Sequence, residues 1–410
     1  MMLLMHIRIS LRSERAQLLM RTFKSFIAFA LTFLLITPAN AVESFTFSGN
    51  GLGHGVGLSQ IGGKAMALEG KSAEEILKYY YTGVTVEPVS DWYDVRVNIG
   101  HLLTSASIQM VSKTGQLKIN DYVISDNQTV ANFKYSPAGI TTVIRKSKST
   151  IATLPATKSI SILWSGTRFL DGEQAVVAFN PGKSQRYQYG KMDLQIVGKF
   201  FEATNTVRLK DEYLYGISEV SSAWPTEMLR AQAIAARTYA ISKAGIYRPS
   251  CDCDLYGTVQ DQLFVGTAKL TEPKYGAFWK AAVDSTSVDE ESGLTITYMG
   301  NPISAYYTSS SGGTTESALN AFGTDVDYLQ PVSDPVSLDP LRNPNYASWK
   351  RTINEAVVAK AFNLLDVQKL QIIDKRIEAT SLNGTKVSLR LETLRSRTGL
   401  PSSFFTLAQN

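Results

Sequence analysis

The chain has 410 residues, of which 44% are hydrophobic and 19% charged, the balance of a globular protein with room for two subdomains. Its formal charge of +5 is largely a property of the first 41 residues. Without them Arg8, Arg12, Arg15, Arg21 and Lys24 go with only Glu14, leaving about +1, and no basic run interleaved with aromatics remains to meet a nucleic acid.

Those first residues read as a targeting segment. From Met20, "MRTFKSFIAFALTFLLITPANAVES" has a short basic start, an apolar run Phe26 to Ile36 and a small-residue ending Ala39-Asn40-Ala41. The pattern predicts a secretory signal peptide over 1–41, cleaved after Ala41, with translation starting at Met1 or Met20. The apolar run is short for a bilayer span, and no later stretch is apolar enough to be one. Export to the cell envelope or medium is the expectation.

Residues 42–90 open on "GNGLGHGVGLSQ", with glycine at 49, 51, 53, 55 and 57. As extended chain this run would put its glycines on one face and Asn50, Leu52, His54, Val56 and Leu58 on the other. Bare backbone on the glycine face suits a neighbouring helix or a long flat ligand such as a glycan. "GKA" is not the end of a phosphate loop, and no strand precedes it to make a dinucleotide fingerprint. The helical stretch "KAMALEGKSAEEILKYYYTG" follows, with Ser72 and Glu75 at capping-box spacing and Gly83 suited to a stop.

From residue 91 to 205 the texture changes. "DVRVNI", "SIQMVS", "QLKIN", "ITTVIR", "SISILW", "AVVAF" and "LQIVG" are short β-branched runs separated by turn residues, and they predict a β-rich subdomain. Residues 206–410 contain, from Leu214, "LYGISEVSSAWPTEMLRAQAIAARTYAISKAG". Pro225 suits a helix start, and Ala231, Ala233, Ala235, Ala236 and Ala240 make the helix small-sided. The fold class expected is α+β, the 91–205 strands packing on the helix after Pro225 with a site between them.

Chemistry-bearing residues are few. Glu219 lies between an apolar, strand-like approach and the helix, where desolvation by Ile217 and Trp224 would raise its pKa toward general-acid range. On residues alone an exposed loop glutamate is the favoured reading. Glu227 falls in the first helical turn and suits its N-terminus. Arg237 reads as the partner of a buried carboxylate or as a solvated helix position. "YYTSSSGGTTES" is a hydroxyl-rich glycine turn able to bind sugar hydroxyls, while no GxSxG elbow is present. Cys251 and Cys253 sit two apart, near the limit of disulfide reach. A disulfide or free thiols is preferred to a metal site, since only His54 and His101 follow the signal segment.

Taken together, four stretches resemble the SpoIID/LytB family: "EYLYGISEVSSAWPTEMLRAQAIAARTYA", "AYYTSSSGGTTES" with "DYLQPVSDP", "GLGHGVGLSQIGGKAMALEGKSAEEILKYYYTGV", and "LRSRTGLPSSFF". The resemblance implies a cell-wall protein acting on peptidoglycan glycan strands, as a lytic transglycosylase or as an enhancer of a wall amidase. It maps the catalytic glutamate onto Glu219 and so reverses the order of readings there. Substrate contacts are expected from His54, Gly55, Ser59, Gln60, Arg237, Tyr239, Ser309, Ser310, Ser311 and Gly312. His54 and Glu219 are expected to face one cleft, with the glycines keeping one wall of a glycan groove flat. Zinc-binding members carry a histidine where this chain has Thr308 and a differently spaced cysteine pair, so no cofactor is expected. Val220-Ser221 stands where the family often has Met-Pro.

Overall fold

A computed structural model describes residues 43–408, so the expected signal segment lies outside the described residues. The chain divides into two compact units. The smaller takes in the described parts of Met1–Phe47, Arg351–Leu389 and Leu407–Asn410. It contains the helix Glu355–Phe362, whose N-cap Asn354 accepts a hydrogen bond from the Ala356 amide, and an antiparallel hairpin of Lys369–Ile373 with Arg376–Thr380.

The larger unit, Ser48–Lys350 with Arg390–Thr406, carries Glu219, the expected contact residues and both cysteines. Its β-rich part is built from two sheets. One is antiparallel in the order Ser149–Thr157, Gly139–Lys146, Thr129–Ser136, Ser105–Met110, Val177–Asn180, Gln185–Tyr187. The other runs Leu255–Tyr256, Asp94–Leu103, Phe200–Arg208, Lys191–Val197, Ser159–Trp164, Leu117–Ile119, Tyr122–Ile124. "SISILW" shows why these segments are strands: Ile160, Ile162 and Trp164 are buried while the alternate residues face outward. Each such aliphatic side chain taken from water contributes about 1.5–3 kcal/mol, less the entropy of ordering it.

Helices carry the rest, among them the short Ala318–Phe322 and Leu391–Thr398 and four others. Helix α1 (Gln60–Leu68) is capped by the Ser59 hydroxyl, which accepts from the Gly62 amide. Helix α2 (Ala73–Tyr80) begins with the capping box that Ser72 and Glu75 predict. Helix α3 (Thr226–Lys243) starts directly after Pro225, and helix α4 spans Gly276–Asp284. The main neighbours of α3 are α1, α2, α4 and the strand Ser292–Tyr298, so it packs chiefly on helices rather than on the 91–205 sheets. Glu227 stands in the first turn of α3 as expected, and its carboxylate also accepts the Ala73 amide at 2.8 Å at the start of α2.

Two local forms depart from the sequence reading. The approach to Glu219 is not a strand: the strand Phe200–Arg208 stops at Arg208 and a π-helical turn, Leu209–Tyr213, follows. Nor is the glycine run an extended strand. Gly51, Gly53, Gly55 and Gly57 all have φ between +74° and +108°, so every second residue turns through the left-handed region open to glycine.

Candidate active site

Glu219 is half-buried, and the reason is local. Ile217 forms a bridge with Phe264, whose ring stacks on Tyr213 with centroids 5.5 Å apart. The Ser218 amide donates to the Leu263 carbonyl at 2.8 Å, and the Leu263 amide donates to Glu219 Oε1 at 2.6 Å. Burial pushes the Glu219 pKa up, and the hydrogen bonds from Leu263 and the Tyr307 hydroxyl hold it back in part. The Tyr307 hydroxyl also accepts from Gln262 Nε2 at 2.9 Å, and Gln262 Oε1 accepts from the Tyr213 hydroxyl at 2.7 Å. One end of the carboxyl is therefore fixed by a buried polar chain.

The glycine run reaches this network through the backbone of Tyr307. Tyr307 and Thr308 pair in parallel with Leu58 and Ser59. The Tyr307 carbonyl faces the His54 ring, while the Tyr307 side chain serves Glu219. His54 Nδ1 accepts the Val56 amide at 3.0 Å, and the ring stands edge-on to Tyr306 and Phe322. Burial, and then the charge of Arg395, lowers the His54 pKa to about 4, so near neutrality it is an uncharged imidazole.

The glycines have a different task from a flat groove wall. A Cβ at Gly57 would overlap the Tyr306 carbonyl oxygen, and one at Gly53 would overlap Thr308 Oγ1. The run lies directly against the hydroxyl-rich loop, so its glycines let two backbones close on each other.

Seven of the expected contact residues are packed inside. Arg237 has no exposed side-chain surface; its Nε pairs with Asp91 at 2.7 Å and its Nη1 donates to Thr286 Oγ1 at 2.9 Å. It is a structural partner of a buried carboxylate, not a hand for substrate. Tyr239 is buried and donates to Asp261, which Arg248 also holds. Ser59 caps α1, Gln60 Nε2 donates to Gln232 Oε1 at 3.1 Å, and Gly55 is enclosed. Ser310 pairs with Leu52 through the backbone, and the Ser311 hydroxyl donates to Asp334 at 2.7 Å. Ser310 thereby ties the hydroxyl-rich loop to the glycine run, and the polar side chains of the others are engaged with partners inside the fold. Ser309, Gly312 and His54 keep partial exposure.

Cys251 and Cys253 form a disulfide with Cα atoms 5.2 Å apart. Both are buried, and bonded sulfurs present no thiolate to zinc. Among the described residues no group of three or more His, Cys, Asp or Glu could hold a metal ion. Tyr307, Gln262, Tyr213 and the Leu263 amide had not been singled out from sequence. Tyr307 lies within the hydroxyl-rich stretch and Tyr213 within the stretch that carries Glu219, while nothing in the sequence points to Gln262 or Leu263.

Residues 198–297 match the family model described as SpoIID, stage II sporulation protein. The chain carries a SpoIID/LytB domain. Over 126 residues, 30% of this chain and 31% of the relative, it is 34% identical to an uncharacterized protein of Brachyspira hyodysenteriae. It is 31% identical to the amidase enhancer of Bacillus subtilis over 117 residues, 28% of this chain and 14% of that one. A shorter match, 48% over 44 residues, is to stage II sporulation protein D of Bacillus subtilis, covering 11% of this chain and 13% of the relative. The chain thus spans no more than about a third of the length of these relatives. No solved structure matches. The SpoIID match contains Glu219, Gln262 and Leu263, while Tyr307 and His54 lie outside it. Among the described residues no helix is long and apolar enough to cross a membrane.

Proposed function

We propose that the protein is an exported envelope protein that cuts peptidoglycan glycan strands as a lytic transglycosylase, with Glu219 as general acid and then base. The observation that supports this most is the state of Glu219: a half-buried carboxyl, its pKa raised by burial, in a fixed setting. A raised pKa keeps a larger share of the carboxyl protonated near neutral pH, as a general acid requires.

Glycosidases that use water ordinarily need a second carboxylate, either as nucleophile or as base. In a lytic transglycosylase the 6-hydroxyl of muramic acid takes that place. Protonated Glu219 gives its proton to the glycosidic oxygen as the C1–O bond breaks. The 6-hydroxyl oxygen bonds to C1, its proton passes to the Glu219 carboxylate, and a 1,6-anhydro end results. The glutamate returns to its starting state.

The likeness to an amidase enhancer favours one other reading, a wall-binding protein that stimulates an amidase without cutting glycan itself. Glycan strands, intact and stripped of stem peptides, separate the two when incubated with the protein or with Glu219→Gln. Mass-spectrometric detection of anhydromuramic ends with the unaltered protein alone supports the transglycosylase. Bound glycan without such ends from either protein would favour the enhancer.

A further inference from the structure

The residues that touch Glu219 do not explain why its loop keeps its shape. Residues 214–222 contain little regular structure, yet nearly every second residue is held by one continuous stretch, 263–279. Trp279 Nε1 donates to the Leu214 carbonyl at 3.0 Å, and the Val265 amide donates to the Gly216 carbonyl at 2.8 Å. Leu263 holds Ser218 and Glu219 through its backbone. On the far side of Glu219 the contacts pass from backbone to side chain. Lys269 Nζ donates to the Val220 carbonyl at 2.6 Å and to Glu272 at 3.3 Å, and Glu272 accepts the Ser222 hydroxyl at 2.5 Å.

From this arrangement we infer that Lys269 and Glu272 are positioning residues for Glu219, forming a charged clamp that fixes the chain just beyond the catalytic carboxyl. The inference rests on the reading of Glu219 as the acid. Lys269 is 4% exposed, an unusual place for an ammonium unless a defined contact needs it. Burial lowers its pKa, opposed by Glu272. Burial would raise Glu272, but the Ser222 hydroxyl and Lys269 outweigh it and leave the carboxylate below its usual range. Lys269 also lies over the Trp279 ring at 5.6 Å, so the clamp and the Leu214 contact share one support. Neither side chain bonds to the Glu219 carboxyl, whose hydrogen-bond partners are the Leu263 amide and Tyr307, with Tyr213 beyond as a further titratable neighbour. Their action runs through the backbone of 220–222.

The test uses the mature full chain with Lys269→Met, Glu272→Gln, Ser222→Ala, and Lys269→Met combined with Glu272→Gln. The double variant removes one charge of each sign, so a response in it does not reflect net field. On glycan strands, kcat for anhydro-end formation is expected to fall about 10- to 100-fold in the double variant with KM little changed, and less in Ser222→Ala. In folded samples checked by circular dichroism, 13C NMR of the glutamate carboxyls, assigned through Glu219→Gln, should show the Glu219 pKa falling toward about 4.3 as water reaches a loosened loop. A Glu219 pKa unmoved in folded double variant overturns the inference. This readout also separates the two levels: no anhydro ends from unaltered protein would sink the transglycosylase reading, while a shifted Glu219 pKa would still establish the clamp.

Discussion

Arg237 and Asp91 meet at 2.7 Å with neither side chain exposed to solvent. Lys210 approaches the same carboxylate at 3.8 Å and donates to the Ser292 carbonyl at 2.9 Å. Burial pushes Asp91 up and Arg237 down, and each opposes the other's shift by its charge. Removing one partner strands a buried charge, at a cost of about 3–5 kcal/mol. Arg237→Met should therefore lower unfolding free energy by that order, while folded protein at low temperature still binds glycan. Denaturant unfolding and a glycan pull-down check it; lost binding with unchanged stability would return Arg237 to the substrate.

Glu219 makes a prediction of opposite sign about stability. Its folded pKa is raised, so the folded state favours the neutral carboxyl. Stability from that preference is fully present below the unfolded pKa of about 4.3 and declines as pH rises through the folded value. Glu219→Gln keeps a neutral acceptor for the Leu263 amide. It should be more stable than the unaltered protein at pH 7, with the gap closing as pH falls below about 4. Cutting activity of the unaltered protein should fall on the alkaline side as Glu219 loses its proton. Thermal melts of both proteins across pH decide it, and equal stability at pH 7 would mean that Glu219 is not desolvated.

The strands of 91–205 were legible because one buried face leaves alternation in the sequence, as in "SISILW". The Ser72 capping box and the start of α3 after Pro225 were legible for the same reason, a local rule with local residues. Glu219 was legible only through resemblance, since a lone glutamate has no periodicity. The Arg237–Asp91 pair spans 146 positions, and the Gln60–Gln232 bond spans 172. Such pairings depend on tertiary packing, and no spacing encodes them. Alternate glycines read as one face of a strand, whereas positive φ at Gly51, Gly53, Gly55 and Gly57 makes the chain turn back and forth.

His54 carries a pH prediction of its own. Its ring nitrogen accepts the Val56 amide, which it can do only while unprotonated. Burial and Arg395 depress its pKa to about 4, with the Tyr307 carbonyl opposing. The unfolded chain binds a proton near pH 6.5, so stability from the neutral ring is complete above about 6.5 and is lost as pH falls toward about 4. His54→Gln retains an acceptor without titrating. The stability difference between the two proteins should change across pH 4–6.5 and be flat above it. A flat difference throughout would show that His54 titrates normally.

Gly57 tests the purpose of the glycine run. Its φ is +74°, and an added Cβ would overlap the Tyr306 carbonyl oxygen, a backbone atom that cannot swing away. Gly70 has a similar φ of +87° but nothing within 4 Å of an added Cβ. Gly70→Ala should cost about 1 kcal/mol, the strain of a left-handed alanine alone. Gly57→Ala adds the collision, so its cost should exceed about 2 kcal/mol. It should also reduce glycan cutting, because Tyr306 adjoins the Tyr307 hydroxyl donor to Glu219. Denaturant midpoints and anhydro-end formation measure both. If the two alanine variants are equally stable and Gly57→Ala cuts normally, the run does not set the position of Tyr307, and glycine's backbone would have to be needed for something that approaches from outside.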